Sequence, residues 1–223
     1  DQPCGHTVIQ VTEAGENCIL LYGGTNTCLT ESFVDETLCR FAPGDVLLLQ
    51  NEVNGIPYLI RQAVRRGLRV AFNAAPMAPE VADYPLELLS WLVINEGEGA
   101  ALAGTQAPAD ILDRLAQRCP DTQLLLTLGA GGSVCRAGGE TWSCGVFPVR
   151  PVDTTAAGDT FLGYYLGALL AGAPIPEALR LSSAASALCI QRRGAADAIP
   201  LLEEVRAALA AGSLGEMGKG ASL

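Results

Sequence analysis

The sequence predicts an α/β fold with a mainly parallel sheet. Two apolar runs of strand length, residues 45–50 and 68–73, enclose a helical pattern that ends at Arg66, and a third run follows at residues 91–94. Unbroken apolar runs are typical of parallel strands buried on both faces, and two of them around a helix indicate a βαβ unit. The 223 residues are 49% hydrophobic and 17% charged, as expected for one main globular domain.

The chain opens with two β-rich runs, residues 7–12 and 17–22, on either side of a short polar segment. This pattern predicts a hairpin, and Gly23 and Gly24 end its second run. Downstream, the patterns predict further helices and strands. They are helices at 31–40 and 108–118, strands at 123–127, 133–136 and 140–144, a helix from about 176 to 191, and a last helix at 200–211 before a tail that we expect to be mobile.

The stretch at residues 153–163, DTTAAGDTFLG, joins a predicted strand to a predicted helix. Residues 145–152 before it are apolar and β-branched, and the apolar residues after it recur at helical spacing. The small residues Ala156, Ala157 and Gly158 therefore fall at the helix start, where free backbone amides and the helix dipole favour an anion. The turn is predicted to cradle a phosphate.

Asp159 lies beside this predicted cradle. A carboxylate repels a neighbouring phosphate, yet it is well placed to accept the proton of an attacking hydroxyl, as in phosphoryl-transfer enzymes. The alternative is that Asp159 satisfies helix-start amides, which is the commoner role of an Asp at such a position. The residues alone support both interpretations equally. Gly163 and Gly167 lie four apart on one helix face, and we interpret them as positions of close packing.

Polar residues follow three of the predicted strands. Ligands of parallel α/β sheets bind beyond the carboxyl ends of the strands, so these positions are candidates for a binding site. They are Gln50, Asn51 and Glu52 after the first strand, Asn73 after the second, and Asn95, Glu96 and Glu98 after the third. A glycine cluster at residues 128–133 predicts a tight turn and does not match the G-x-G-x-x-G dinucleotide motif.

The charge balance limits the partners. A formal net charge of −10 disfavours nucleic acid and anionic membranes, so a phosphate would be held by backbone amides and a metal ion. No apolar run reaches about 18 residues and no signal segment opens the sequence, so we expect a cytoplasmic protein. The eight cysteines are scattered without a C-x-x-C pair, and we expect most of them to be buried and reduced.

The motif at residues 153–163 resembles the C-terminal signature of the ribokinase (PfkB) family of carbohydrate and nucleoside kinases. The resemblance implies a three-layer α/β/α fold with a mainly parallel sheet, ATP as the phosphoryl donor and Mg²⁺ as a cofactor. It also implies that Asp159 is the base that deprotonates a sugar hydroxyl. The amides of Ala156, Ala157 and Gly158 would form the anion hole.

Other segments resemble sugar and nucleotide motifs of the same family. Residues 47–53 are similar to a strand that ends in a sugar-contacting Glu, which would be Glu52. Residues 73–77 are similar to a turn in which Asn73 and Pro76 match the family pattern. The residues that match the ATP site of the family are Thr127, Gly129, Gly132 and Gly158.

Two further matches concern metal ions. Asn95 and Glu98 match an Asn-x-x-Glu motif that holds Mg²⁺ and the phosphates through water, and a carboxylate suits a hard cation that keeps most of its waters. The same pair fits a helix capping box, and this alternative stays open. Asp153 and the Thr155 carbonyl match ligands of a monovalent cation, which makes K⁺ a candidate cofactor, although Ala198 stands where many members carry a hydroxyl.

The start of the chain resembles the end of the family's lid, a small sheet that covers the sugar and often pairs with the lid of a second subunit. We therefore assign residues 1–24 to a partial lid and residues 25–223 to the α/β nucleotide-binding core, and the resemblance implies a homodimer through the lid. The pattern alone equally allows a hairpin packed on its own domain. Since only the C-terminal two-thirds of the family pattern is matched, we expect a fragment, a cleaved product or a gene start placed too late.

The resemblance implies ATP-dependent phosphorylation of a sugar hydroxymethyl group, with D-ribose as the leading substrate and ribose 5-phosphate as the product. Fructose phosphates, ketodeoxygluconate and nucleosides are alternative substrates, because most substrate-selecting residues would lie in the third that is not matched. An alternative of a different class is a non-catalytic nucleotide-binding module.

Overall fold

A computed structural model describes residues 2–11 and 17–221, which group into two compact units. The first unit ends at Leu124 and the second begins at Leu125. The strands are β1 (His6–Val11), β2 (Asn17–Tyr22), β3 (Val46–Gln50), β4 (Arg69–Asn73), β5 (Trp91–Asn95), β6 (Gln123–Thr127), β7 (Ser133–Ala137) and β8 (Glu140–Cys144). The α-helices are α1 (Glu31–Leu38), α2 (Ile56–Arg65), α3 (Glu96–Ala103), α4 (Pro108–Arg118), α5 (Ala157–Leu170), α6 (Ile175–Cys189) and α7 (Leu202–Ala211).

The first two strands form an antiparallel hairpin, as the sequence predicts. In its register Val8 lies opposite Leu20, and the turn that joins the strands lies outside the described residues. Val8 and Leu20 are 51% and 56% exposed, and Tyr22 is also largely exposed. The hairpin therefore presents apolar side chains to solvent.

The strands β3, β4 and β5 pair in parallel, in the order of the chain. Val70, Phe72 and Leu92 in these strands are fully buried, as the unbroken apolar runs predict. The register places Gln50 opposite Asn73, so the polar residues that follow β3 and β4 lie at the same edge of the sheet. The predicted parallel arrangement is confirmed within the first unit.

The helices α2 and α4 bury one apolar face each. Both carry a proline in the first turn, where the missing N–H has no intrahelical partner to lose. The buried residues are Ile56, Leu59, Ile60 and Ala63 in α2, and Ile111, Leu112 and Leu115 in α4. None of the helices in the described part of the chain has the length and apolar character needed to span a bilayer.

The second unit contains an antiparallel hairpin of β7 and β8, which turns at Gly138 and Gly139. It also contains the packed helix pair α5 and α6. Tyr165 of α5 is fully buried, and its hydroxyl donates to Cys135 Sγ at 3.1 Å. Small buried residues of α6, such as Ala184, allow this close packing.

Residues 145–152 do not form the strand that their composition predicts. Two prolines in this segment lack the N–H that a strand ladder requires. The C-terminal tail, which we expected to be mobile, lies against the segment, and the Gly218 amide donates to the Val146 carbonyl at 2.9 Å. A Cβ added at Gly145 would overlap the Gly218 carbonyl oxygen, so only glycine fits this contact.

Four of the eight cysteines are buried, fewer than the majority that we expected from the sequence. All eight are free thiols, and the four exposed ones lie in the first 39 residues. Burial raises the pKa of the Cys144 thiol to about 11, so this thiol stays protonated at neutral pH. The buried residues are Cys119, Cys135, Cys144 and Cys189.

Candidate active site

The turn before α5 is held in place by the end of α6. The amides of Val152 and Asp153 both donate to the Ile190 carbonyl, at 2.7 and 3.1 Å. The helix α5 begins at Ala157, and Ala156 caps it in a left-handed conformation with φ of 61°. The predicted helix start at the small residues is confirmed.

Side chains of α6 also fix the first turn of α5. Ser186 Oγ donates to the Ala157 carbonyl at 2.9 Å, and the buried Thr160 Oγ1 donates to Cys189 Sγ at 3.3 Å. The Cys189 sulfur lies 3.9 Å from the Thr155 carbonyl oxygen. These supports leave no signal in the sequence, because Ser186 and Cys189 stand about 30 residues downstream in an Ala-rich helix, where no motif marks them.

The start of α5 offers a backbone amide to an anion. The Ala157 amide is used within the turn, where it donates to the Thr154 carbonyl at 3.3 Å. The Gly158 amide lies in the first helical turn, where an amide has no intrahelical acceptor. A Cβ added at Gly158 would meet no atom within 4 Å, which leaves room for a phosphate. An anion bound at this helix start would therefore depend more on the Gly158 amide than on the Ala157 amide.

Replacing Ala156 with Gly is expected to stabilise the protein by about 0.5–1 kcal/mol. A left-handed L-residue costs about 1–2 kcal/mol, and the greater freedom of unfolded Gly offsets part of the gain. Among the described residues, Ala156 is the only non-glycine with a positive φ. Urea unfolding measures the change. The matched control is Ala157→Gly, in the right-handed first turn, which should destabilise the protein by about 0.5–1 kcal/mol. If Ala156→Gly also lowers stability, the left-handed backbone at Ala156 is not strained.

Asp159 is exposed and opens onto a groove of about 670 Å³ beside α5. The groove is also lined by Gly163, Gly167 and Ala171, and by Glu177 of α6. A Cβ added at Gly163 or Gly167 would meet nothing within 4 Å, so the interpretation of these glycines as close-packing positions is wrong for the described residues. Their missing side chains instead widen the groove that leads from Asp159.

Asp153 joins the turn to the loop after α6. Its Oδ1 accepts from the Thr155 amide at 2.9 Å, and its Oδ2 accepts from the Gly194 amide at 3.2 Å. Hydrogen bonds from the Thr155 side chain and amide hold the pKa of the Asp153 carboxyl below its usual range. The bonds of this carboxylate therefore stabilise the fold above the unfolded pKa, and the contribution is lost as the pH falls through the folded pKa. With three hydrogen bonds accepted, the carboxylate keeps about one further lone pair, which together with the Thr155 carbonyl could serve a monovalent cation.

The glycine cluster after Thr127 forms a tight turn. The Leu128 amide donates to the Gly132 carbonyl, and the Gly131 amide donates to the Leu128 carbonyl, each at 2.8 Å. Gly129 and Gly132 have φ of 52° and 92°, which favour glycine. The predicted tight turn is confirmed, and its backbone carries no side chains at these two positions that would keep a nucleotide away.

Asn95 and Glu98 contact each other at the start of α3. Asn95 Oδ1 accepts from the Glu98 amide at 2.9 Å, while the Glu98 carboxylate accepts from the Asn95 amide at 2.8 Å and from Asn95 Nδ2 at 2.9 Å. This arrangement is a complete capping box, so the structural alternative is confirmed. Glu98 is 7% exposed, and its burial raises the pKa of its carboxyl.

The same pair fits an outer-sphere magnesium site. Each Glu98 oxygen accepts one hydrogen bond from Asn95 and keeps a lone pair for a metal-bound water. Mg²⁺ keeps several waters and needs only one or two carboxylates. Across residues 2–11 and 17–221, no three His, Cys, Asp or Glu side chains cluster to form a direct coordination cage.

Glu52 lies partly buried in the turn between β3 and α2. The neighbouring Asn51 amide donates to the Ala75 carbonyl at 2.8 Å, and Asn51 Nδ2 donates to the Pro76 carbonyl at 2.9 Å. The turn that carries Glu52 therefore contacts the turn that follows Asn73, as the shared sheet edge predicts.

Comparison with known proteins identifies the family. A profile described as pfkB family carbohydrate kinase matches residues 1–202. The ribokinase of Haemophilus influenzae is 34% identical over 206 residues, which are 90% of this chain and 67% of the relative. The ribokinase of Schizosaccharomyces pombe is 34% identical over 211 residues, which are 90% of this chain and 66% of the relative. The chain thus spans about two thirds of the length of these relatives.

Solved structures support the same assignment. The Thermotoga maritima ribokinase matches with a TM-score of 0.77 at 32% identity, over 94% of this chain and 70% of that protein. The Arabidopsis thaliana ribokinase, solved in complex with ribose and ATP, matches with a TM-score of 0.77 at 28% identity and the same coverage. These matches confirm the predicted ribokinase-like α/β fold, with a mostly parallel central sheet and helices on both sides. The chain belongs to the pfkB family of carbohydrate kinases.

Proposed function

We propose that this chain carries the ATP-binding and phosphoryl-transfer machinery of a sugar kinase that converts D-ribose to ribose 5-phosphate. The observation that carries the proposal is the start of α5, where Asp159 directly follows the open amide of Gly158. A carboxylate beside an anion cradle opposes simple phosphate binding. Its presence therefore favours a reaction in which a proton is accepted at that place.

In the proposed reaction, Asp159 accepts the proton of the sugar hydroxymethyl group while the hydroxymethyl oxygen attacks the γ-phosphorus of ATP. The bond between the γ-phosphorus and the oxygen that bridges to the β-phosphate breaks, and ADP leaves with the electron pair. The Gly158 amide and the positive end of α5 stabilise the charge of the moving phosphoryl group. The small side chains of Ala156 and Ala157 leave room beside it.

Mg²⁺ and K⁺ are the cofactors that the residues fit. Asn95 and Glu98 would hold hydrated Mg²⁺ through its waters, and bound Mg²⁺ neutralises charge on the phosphates. Asp153 and the Thr155 carbonyl would bind a monovalent cation beside the turn. Exchanging K⁺ for Na⁺ in the assay should lower turnover, and equal turnover in both salts would remove K⁺ from the proposal.

The choice of D-ribose rests on the relatives, which are named ribokinase, and on Glu52 as the proposed sugar contact. The nucleotide would lie against Thr127, Gly129 and Gly132. A panel of sugars and nucleosides, assayed with ATP and the complete gene product, tests this choice. D-ribose should be phosphorylated fastest. If a fructose phosphate, ketodeoxygluconate or a nucleoside is faster, the ribose assignment falls while the kinase assignment stands.

A non-catalytic nucleotide-binding module is the second candidate. It is favoured by the length of the chain, which is about two thirds of that of the relatives. Positioning of the sugar contributes much of the rate of such an enzyme. We therefore expect the 223 residues alone to bind ATP weakly and to phosphorylate ribose negligibly. Titration calorimetry with ATP and ribose, together with a turnover assay, tests this expectation, and ordinary kinase turnover by the chain alone would exclude the second candidate.

The exposed hairpin supports a further part of the proposal, a homodimer formed through the lid. Burying a Leu side chain contributes about 1.5–3 kcal/mol, so Leu20→Asp should weaken self-association by about tenfold or more. Phe33→Asp is the matched control, because Phe33 is 55% exposed on α1, outside the hairpin. Sedimentation velocity measures the dimer. Equal effects of both variants, or a chain that is monomeric at all concentrations, would contradict the hairpin interface.

A further inference from the structure

The Asn54 side chain links the turn that carries Glu52 to the backbone of Leu29 by hydrogen bonds. Asn54 Oδ1 accepts from the Leu29 amide at 2.9 Å, and Asn54 Nδ2 donates to the Leu29 carbonyl at 2.8 Å. One side-chain amide thus satisfies both backbone groups of a residue 25 positions earlier. The Asn54 backbone amide adds a third bond, to the Asn26 carbonyl at 3.3 Å.

The residues that Asn54 binds connect the hairpin to the rest of the first unit. The strand β2 ends at Tyr22, a 3₁₀ turn covers Gly24–Thr27, and α1 begins at Glu31. This connection, residues 23–30, is referred to here as the hinge segment. Its contact with Asn54 is partly buried, so water competes with the two hydrogen bonds less than it would at a fully exposed site.

Hydrogen bonds of Asn51 hold the other side of the Glu52 turn. Asn51 binds the carbonyls of Ala75 and Pro76, and the Tyr84 hydroxyl donates to Asn51 Oδ1 at 3.1 Å. Glu52 therefore lies between two anchored asparagines. Asn51 ties it to the sheet edge, whereas Asn54 ties it to the hinge segment.

We propose that Asn54 is a positioning residue that couples the hinge segment to the turn carrying Glu52, so that the hinge segment helps to hold the proposed sugar-binding carboxylate in position. The inference rests on the proposed function for the role of Glu52. The coupling itself rests only on the contacts of Asn54. Loss of the Asn54 side chain releases both backbone groups of Leu29 and leaves the turn held by Asn51 and by the longer backbone bond of residue 54 to the Asn26 carbonyl.

Amide hydrogen exchange of the 223-residue chain, followed residue by residue by NMR, tests the coupling without any ligand. Asn54→Ala should speed exchange in the hinge segment and also at Asn51, whose amide is bonded to Ala75 and does not contact the replaced side chain. Thr122→Val is the matched control, because the buried Thr122 hydroxyl lies 3.2 and 2.9 Å from the carbonyls of Leu86 and Leu89. The control should change neither segment. Faster exchange in the hinge segment alone would overturn the coupling.

Steady-state kinetics of the complete gene product test the positioning role. Asn54→Ala should raise the KM for the sugar roughly tenfold with little change in kcat or in the KM for ATP, since weakening a contact that the sugar makes equally in the ground state and the transition state raises KM alone. Asn54→Asp keeps the acceptor for the Leu29 amide and should fall between wild type and Asn54→Ala. Thr122→Val should leave both KM values unchanged. An unchanged sugar KM in Asn54→Ala would overturn the positioning role of Asn54. A gene product that phosphorylates no sugar would instead overturn the proposed function, and the hydrogen-exchange result would then decide the coupling.

Discussion

Replacing Asp159 with Asn should lower the turnover of the complete gene product by on the order of 10²-fold or more. The Asn side chain has nearly the same shape, but it cannot accept the proton of the sugar hydroxyl, and general base catalysis contributes about 10²–10⁴-fold. The affinity for ATP should stay the same or increase, because the change removes a negative charge next to the phosphates. Single-turnover kinetics together with ATP titration separate these two effects.

Glu177 provides the matched control for this prediction. Its carboxylate lines the same groove but lies at the start of α6. Glu177→Gln should therefore leave turnover within about twofold of wild type. An Asp159→Asn variant with near-normal turnover would rule out Asp159 as the base. It would favour the alternative in which this carboxylate only satisfies amides at the helix start.

Replacing Gly132 with Ala should destabilise the protein by about 3 kcal/mol or more. The φ of 92° is strained for any L-residue, and an added Cβ would overlap the Cys144 carbonyl oxygen. The Cys144 carbonyl belongs to the backbone and the Cβ position is fixed by the backbone of residue 132, so neither atom can rotate away and the turn that ends at Gly132 has to change. The affinity for ATP should fall as well, because this turn is proposed to line the nucleotide.

Gly139→Ala separates the clash from the backbone strain. Gly139 has φ of 83°, and a Cβ added there would meet nothing within 4 Å. This variant should lose only about 1 kcal/mol and keep its affinity for ATP. Scanning calorimetry measures both variants. A Gly132→Ala variant as stable as Gly139→Ala would show that the contact with Cys144 relaxes easily.

Much of the fold could be predicted because local patterns and tertiary contacts agree. The apolar runs that became β3, β4 and β5 are buried and parallel, and the small residues at 156–158 do begin α5. The edge position of Gln50 and Asn73 also followed from strand ends alone. In each case a short-range pattern was sufficient, because burial of both sheet faces or a helix start leaves a direct signal in the sequence.

Other features depend on contacts between distant residues. Residues 145–152 have the composition of a strand, yet their prolines and the contact of Gly145 with the tail prevent one. Gly163 and Gly167 have packing spacing but face an open groove. The bonds of Asn54 to Leu29 left no signal, since an asparagine before a glycine is typical of any turn.

The pair of Asn95 and Glu98 can serve two roles at one helix start. The capping box uses one lone pair of each Glu98 oxygen, and an outer-sphere magnesium site would use another. The two roles are therefore compatible. The pattern Asn-x-x-Glu could not separate them, because both require the same spacing at a helix start.

The transfer of the γ-phosphoryl group of ATP to D-ribose is the most direct test of the proposed function. The complete gene product, incubated with Mg²⁺, ATP and D-ribose, should give one ribose phosphate for each ADP, with the phosphate on the hydroxymethyl oxygen, as followed by ³¹P NMR and by coupling to the C5 carbon. ADP and free phosphate without sugar phosphate, or a phosphate on another ribose oxygen, would contradict it.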